Sequence, residues 1–297
     1  MRLINCSTLK FQEFVGAEIP PYTILSHTWE KEEVLFEDLC NLEGRMQKKG
    51  PQKVIQTCRL AIQDGYEYAW IDTCCIDRSS SAELTEAINS MFNWYKRSGR
   101  CYVYLGDFHS QSAASEFGRC RWFTRGWTLQ ELVAPSDIHF YDKDWRYFGS
   151  KPELGAALST ITGIERLILN GNIPLFAISV AKKMSWASQR ETTREEDHAY
   201  CLLGIFGISM PLVYGEGPRA FTRLQEEIIK ETNDLTLFAW QASPTTPEVT
   251  AYRGILALSP GEFANAGTIM SNTNQKNNPE FAMTNKGLRI HIPLSRG

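Results

Sequence analysis

Tyr68-Ala-Trp-Ile-Asp-Thr-Cys-Cys-Ile-Asp-Arg-Ser-Ser-Ser-Ala-Glu-Leu-Thr-Glu-Ala-Ile-Asn-Ser-Met-Phe-Asn-Trp-Tyr-Lys-Arg-Ser-Gly-Arg-Cys-Tyr-Val-Tyr-Leu105 reads as strand, loop, helix, strand. The two strands, Tyr68 to Asp72 and Arg100 to Leu105, are short β-like runs. Between them Thr73 to Ser81 is expected to be a loop; Ser80 with Glu83 forms a capping-box pattern, and Leu84, Ile88, Met91 and Tyr95 recur at helical spacing until Gly99. The alternation extends outward. Tyr22-Thr-Ile-Leu-Ser26 is a preceding strand that ends in His27-Thr28-Trp29. Pro51, suited to a first helical turn, opens a helix striped by Val54, Cys58 and Ala61/Ile62 and closed by Gly65. Ile138-His-Phe-Tyr141 is a further strand. This order predicts an α/β fold, a mainly parallel sheet flanked by helices.

The chain has 297 residues, enough for one large domain or two ordinary ones with a substantial core. Its 31 Lys+Arg against 34 Asp+Glu leave a net charge of -3, so no overall field draws it to nucleic acid or to an anionic membrane, and neither is expected as a partner. Met1 to Lys10 has no apolar signal-like core, which predicts a cytoplasmic protein. The apolar stretch Ala199 to Tyr214 is broken by Gly204, Gly207, Ser209 and Pro211, is shorter than the ~18 residues of a membrane span, and reads as a buried helix. The eight cysteines include no C-x-x-C pair, which argues against a zinc site or a disulfide framework and for small buried hydrophobes in a reducing compartment.

After about residue 150 the pattern becomes helical. Glu195 to Phe206 carries Ala199, Leu202/Leu203 and Phe206 on one face; Tyr214 to Gly217 is a turn; Pro218 opens a helix with Phe221, Leu224 and Ile228. The expected organisation is an α/β core over 1–150, a helical extension packed on it over 151–240, and an irregular segment over 241–297 with a strand at Gly287 to Pro293, as at the start of a further module.

Ligands of open parallel sheets bind beyond the carboxyl ends of the strands. Those ends carry Ser26-His27-Thr28-Trp29, Asp72-Thr73, Gly106-Asp107 and Tyr141-Asp142. Near the same edge, Trp122-Phe-Thr-Arg-Gly-Trp-Thr-Leu-Gln-Glu-Leu-Val-Ala-Pro135 places Trp127 and Glu131 four apart, on one face of a short helix stopped by Pro135. A carboxylate beside a flat ring suits a cleft, which makes Glu131 the candidate catalytic residue. Trp127, Arg125, Ser26, His27, Trp29, Asp72 and Asp107 are the candidate substrate contacts, Arg125 for a phosphate. The plainer alternatives are a surface glutamate, an anchoring tryptophan and a solvated arginine. No Gly-x-Gly-x-x-Gly follows a strand, so no Rossmann cofactor site is expected.

Ile24-Leu-Ser-His-Thr-Trp29, Ala69-Trp-Ile-Asp-Thr-Cys-Cys-Ile-Asp77 and Arg121 to Pro135 resemble the three blocks of the fungal HET (heterokaryon incompatibility) domain. Glu196 to Gly204 with Met210 to Gly217 resembles the segment that often follows, so the resemblance covers roughly residues 20 to 240. It implies a role in programmed cell death upon non-self recognition, often as the N-terminal effector of a larger receptor. More distantly, the Trp-x-x-x-Glu-Leu helix is similar to that of Toll/interleukin-receptor (TIR) domains, whose NAD-cleaving members carry a catalytic glutamate in Trp-Cys-Leu-x-Glu-Leu. Trp127 and Glu131 fall on those positions, with Thr128 in place of the Cys.

The TIR resemblance implies a flavodoxin-like strand order, NAD+ as substrate with no separate cofactor, and self-association. The segment from 30 to 50 and Cys74-Cys75 depart from the TIR pattern. A single carboxylate suits NAD+ cleavage, because nicotinamide leaves as a neutral ring and needs no general acid, unlike the leaving oxygen of ordinary glycosides. Glu131 then stabilises an oxocarbenium-like transition state. Two alternatives stand beside this: a non-enzymatic death-signalling module acting by homotypic assembly, and a cysteine hydrolase using Cys74 or Cys75 with His27.

Overall fold

Every residue of Tyr22–His27 is buried, as a strand covered on both faces requires. The computed structural model describes residues 1–40, 51–111, 114–242, 254–271 and 281–290. They divide into two compact units, Met1–Gly171 and Asn172–Gly297.

The first unit runs β1 (Arg2–Asn5), β2 (Phe11–Glu13), β3 (Tyr22–His27), α1 (Phe36–Cys40), α2 (Pro51–Gln63), β4 (Tyr68–Trp70), α3 (Asp72–Cys75), α4 (Ser81–Arg97), β5 (Arg100–Tyr104), α5 (Ala114–Phe117), α6 (Thr128–Val133), β6 (Ile138–Tyr141), β7 (Tyr147–Ser150), α7 (Gly155–Thr162) and α8 (Arg166–Leu169). Its sheet has the order β2-β1-β4-β3-β5-β6-β7. The central four, β4, β3, β5 and β6, are parallel, with Ile24 opposite Trp70 on one side and Cys101 on the other. Counted in chain order these are the second, first, third and fourth parallel strands, the flavodoxin-like order the sequence implied. Both edges are antiparallel, β1 and β2 beside β4, and β7 beside β6.

Ser80 caps α4 by accepting from the Glu83 backbone N–H at 3.3 Å. The reciprocal half of the capping box goes elsewhere. The Glu83 carboxylate accepts from the Asp77 N–H at 2.8 Å and from Arg2 Nη1 at 2.7 Å, tying the preceding loop and β1 to the helix start. The expected Thr73 to Ser81 loop begins as a helical turn, because Cys74 and Cys75 both donate to the Ile71 carbonyl. The cysteines whose side chains are described, Cys6, Cys58, Cys74, Cys75, Cys101, Cys120 and Cys201, are free and buried.

The second unit contains α9 (Val180–Ala187), α10 (Asp197–Tyr200), α11 (Leu203–Phe206), α12 (Arg219–Glu231) and the hairpin β8 (Phe281–Thr284) and β9 (Gly287–Ile290). The single helix expected over Glu195 to Phe206 is two short ones, and the buried helix expected over Ala199 to Tyr214 ends at Phe206. Side-chain bonds to the following turn explain the break. Glu196 accepts from the N–H groups of Gly215 at 2.7 Å and Gly217 at 3.1 Å, Tyr214 donates to Asp197 at 3.0 Å, and the Tyr200 hydroxyl donates to Glu216 at 2.9 Å. Helix α12 starts after Pro218 and buries Phe221, Leu224 and Ile228, as its spacing predicts. Residues 291–293 of the expected last strand lie outside the described residues. Among the described residues no helix is long and apolar enough to cross a membrane.

Replacing Ser80 by alanine is expected to cost about 1 kcal/mol, the usual value of an N-cap. Glu83→Ala keeps the capped backbone N–H but removes the acceptor of both Arg2 and the Asp77 N–H, and is expected to cost more. Urea unfolding checks the order; a Glu83→Ala midpoint equal to the parent's would show that the Glu83 side chain contributes nothing.

Candidate functional site

Strand β3 delivers Ser26 and His27, both buried, to the carboxyl edge of the parallel strands. The Ser26 hydroxyl donates to Glu131 Oε2 at 2.5 Å and accepts from Trp122 Nε1 at 2.7 Å. One small side chain thus joins a carboxylate on α6 to an indole on the preceding turn. Trp122 is sealed from solvent and meets Phe123 and Phe140 edge to face. Thr128 closes the turn into α6 by donating to the carbonyls of Trp122 at 2.5 Å and Arg125 at 2.9 Å. Glu131, in the first turn of α6 where the helix dipole favours an anion, is 7% exposed. Its charge is felt by its neighbours. Burial first, and then Glu131, push the Tyr95 phenol and the Cys101 thiol well above their ordinary values.

A second cluster adjoins the first through the Ser26-His27 peptide. His27 Nε2 lies 3.1 Å from Asp72 Oδ1, and Nδ1 lies 3.2 Å from Lys53 Nζ. An ammonium donating to Nδ1 leaves the Nε2 proton for Asp72, which assigns the tautomer. Lys53, buried on α2, also donates to the Thr28 carbonyl at 3.2 Å and pairs with Glu33 at 2.5 Å. Trp29 Nε1 donates to Asp72 Oδ2 at 2.9 Å, and the Arg78 guanidinium lies 3.9 Å above the Trp29 ring and 3.8 Å from Asp72. Burial works to raise the Asp72 pKa, but His27, Arg78 and the Trp29 indole outweigh it and hold the carboxyl below its ordinary value. Trp29 remains 41% exposed, so the indole and guanidinium pair faces solvent.

The other expected contacts are placed differently. Asp107 accepts from the Arg121 N–H at 2.8 Å and pairs with its guanidinium at 3.7 Å. Arg125 and Trp127 are half-buried at the entry to α6, and the indole bonded into the Ser26 node is Trp122. Asp142 is buried and accepts from Ser110 N and Oγ and from the N–H groups of Asp144 and Arg146. Although His109, Asp142 and Asp144 bring ligand atoms within 4.8 Å of one another, these four donors occupy Asp142, which reads as a turn clamp. Cys74 is buried, and burial pushes its thiol well up, opposite to the needs of a nucleophile. Lys53, Glu33, Arg78, Tyr95 and Trp122 were not among the expected site residues. Lys53 sits in the apolar stripe of α2 beside Val54, the one hint of its burial.

Residues 22–116 match the family described as Heterokaryon incompatibility protein (HET). The chain is a HET-domain protein. The match covers Ser26, His27, Trp29, Asp72 and Asp107 and ends before Trp122 and Glu131. Residues 219–296 match a domain of unknown function, DUF8212. Over 232 residues the chain is 45% identical to Vegetative incompatibility protein HET-E-1 of Podospora anserina, an alignment covering 74% of this chain and 17% of that protein. No solved structure matches the HET-domain chain.

Ser26→Ala leaves both the Trp122 N–H and Glu131 without this partner and is expected to cost about 2–3 kcal/mol, against little for Ser26→Thr, which keeps a hydroxyl. Equal urea midpoints for Ser26→Ala and the parent would refute the bond's role. Because the Asp72 pKa is depressed on folding, its stabilisation is present above the unfolded value of about 3.9 and is lost as pH falls through the folded value. Thermal midpoints measured below about pH 4 should therefore fall more steeply for the parent than for Asp72→Asn; parallel curves contradict the assignment.

Proposed function

We propose that this HET-domain chain is the death-effector module of a vegetative incompatibility protein and acts by assembling with copies of itself, with Glu131 as a buried brace. The HET match and the identity to an incompatibility protein support the biological setting. The aligned part is 17% of that relative's length, which fits a module working within a larger receptor-like protein in the cytoplasm. One observation carries the mechanistic choice. The Glu131 carboxylate is 7% exposed and one of its oxygens is held by Ser26, whose own acceptor site is taken by Trp122. A carboxylate committed in this way braces the fold, whereas stabilising an oxocarbenium ion demands free access to substrate.

The second reading is cleavage of NAD+ to nicotinamide and ADP-ribose or a cyclic form. In its favour, Glu131 and the exposed Trp29-Arg78 pair stand at the carboxyl edge of a parallel sheet, the usual ligand position. In that reading Glu131 is catalytic, and Ser26, His27, Trp29, Asp72, Asp107, Arg125 and Trp127 are the surrounding contacts.

The test is to incubate the purified chain with NAD+, assay free nicotinamide, and measure mass by light scattering over a wide range of protein concentration. Assembly predicts a mass that grows with concentration, no nicotinamide release, and cell death on expression that is lost when assembly is lost. Nicotinamide release that disappears in a folded Glu131→Gln variant would overturn it in favour of catalysis.

A further inference from the structure

The second unit contains a cleft of about 850 Å³, within the size range of small-molecule sites. Phe176, Val180, Phe206, Ile208, Ile228 and Phe281 supply its apolar lining. Phe176 is 85% exposed, an aromatic ring left facing water on the wall of a cavity.

Lys183 of α9 lines the same cleft and is only 7% exposed. Its ammonium lies 4.6 Å from the centroid of the Phe206 ring and makes no hydrogen bond or ion pair among the described residues. Asp234, also in the lining, is engaged as a cap: its two oxygens accept from the N–H groups of Val180 and Thr236 at 2.9 Å each. Burial lowers the Lys183 pKa to about 8, partly offset by Asp234, so the side chain is still mainly cationic at neutral pH. An ammonium on the wall of a cleft, with no hydrogen bond of its own among the described residues, keeps its donors for an anion that enters, and the apolar surroundings strengthen that attraction.

We infer that this cleft binds a single-chain amphiphile with a carboxylate head, the head on Lys183 and the chain along Phe206, Ile208, Ile228 and Phe176. A monoanion is favoured over a phosphate dianion because Glu231 and Asp234 bring negative charge to the same lining, while its second cation, Lys230, is exposed and paired with Glu227.

The test titrates the fluorescent acid 11-(dansylamino)undecanoate into the whole chain, with dodecanoate and dodecanol as competitors. Saturable binding is expected, displaced by dodecanoate at concentrations where dodecanol has little effect. Lys183→Met, which keeps length and removes charge, should weaken the probe by roughly tenfold or more, while Lys183→Arg binds it comparably. Lys183→Met should also melt close to the parent, since it replaces a side chain that makes no hydrogen bond among the described residues with an apolar one of similar length, so lost binding is distinguishable from lost fold. Absence of saturable binding, equal competition by dodecanol, or undiminished binding to Lys183→Met would overturn the inference.

Discussion

A single hydroxyl group organises the carboxyl edge of the sheet. Ser26, the penultimate residue of β3, uses its proton on Glu131 and a lone pair on the Trp122 indole. Strand β3 lies inside the parallel sheet, bonded to β4 and β5, and therefore cannot shift without breaking ladders on both sides. Whatever is bonded to Ser26 inherits that rigidity. The turn carrying Trp122 and the helix carrying Glu131 would otherwise be a short turn and a six-residue helix with little intrinsic stability.

Beside this node lies a buried polar chain, Glu33 to Lys53 to His27 to Asp72, closed by Trp29 and Arg78. Such networks stabilise little when complete, because desolvation offsets their attraction, but losing one member is costly. Their use here is positional. They set where the end of β3, the start of α2 and the end of β4 lie relative to one another, and they leave one flat exposed surface, Trp29 under Arg78.

The parallel core was legible in the sequence because its strands are short β-like runs separated by helical periods, as at Tyr22 to Ser26 and Leu84 to Tyr95. The antiparallel edges were not. β1, β2 and β7 are as short as β4 and β6 but partly exposed, without the nearly continuous buried run that marks those two. The segment from Glu195 to Phe206 has helical spacing, yet Glu196, Asp197 and Tyr200 bond to the turn at 213–217, and tertiary contacts override the local pattern. At the site, strand-end logic named Ser26, His27, Trp29, Asp72 and Glu131, and the structure bonds Ser26 to Glu131 and both His27 and Trp29 to Asp72. It could not tell which tryptophan of the Trp122 to Pro135 stretch turns inward, because spacing ranks Trp127 as the helix-face neighbour of Glu131, and the hydrogen bond to Ser26 from Trp122 depends on a turn that periodicity does not describe.

The account stands on the coupling between Ser26 and Glu131, and a double-mutant cycle measures it directly. Unfolding free energies of the parent, Ser26→Ala, Glu131→Leu and the double variant give the interaction of the pair separately from the cost of each change. A buried hydrogen bond to a carboxylate predicts a coupling of about 1.5–3 kcal/mol. Costs that add to within about 0.5 kcal/mol would contradict it.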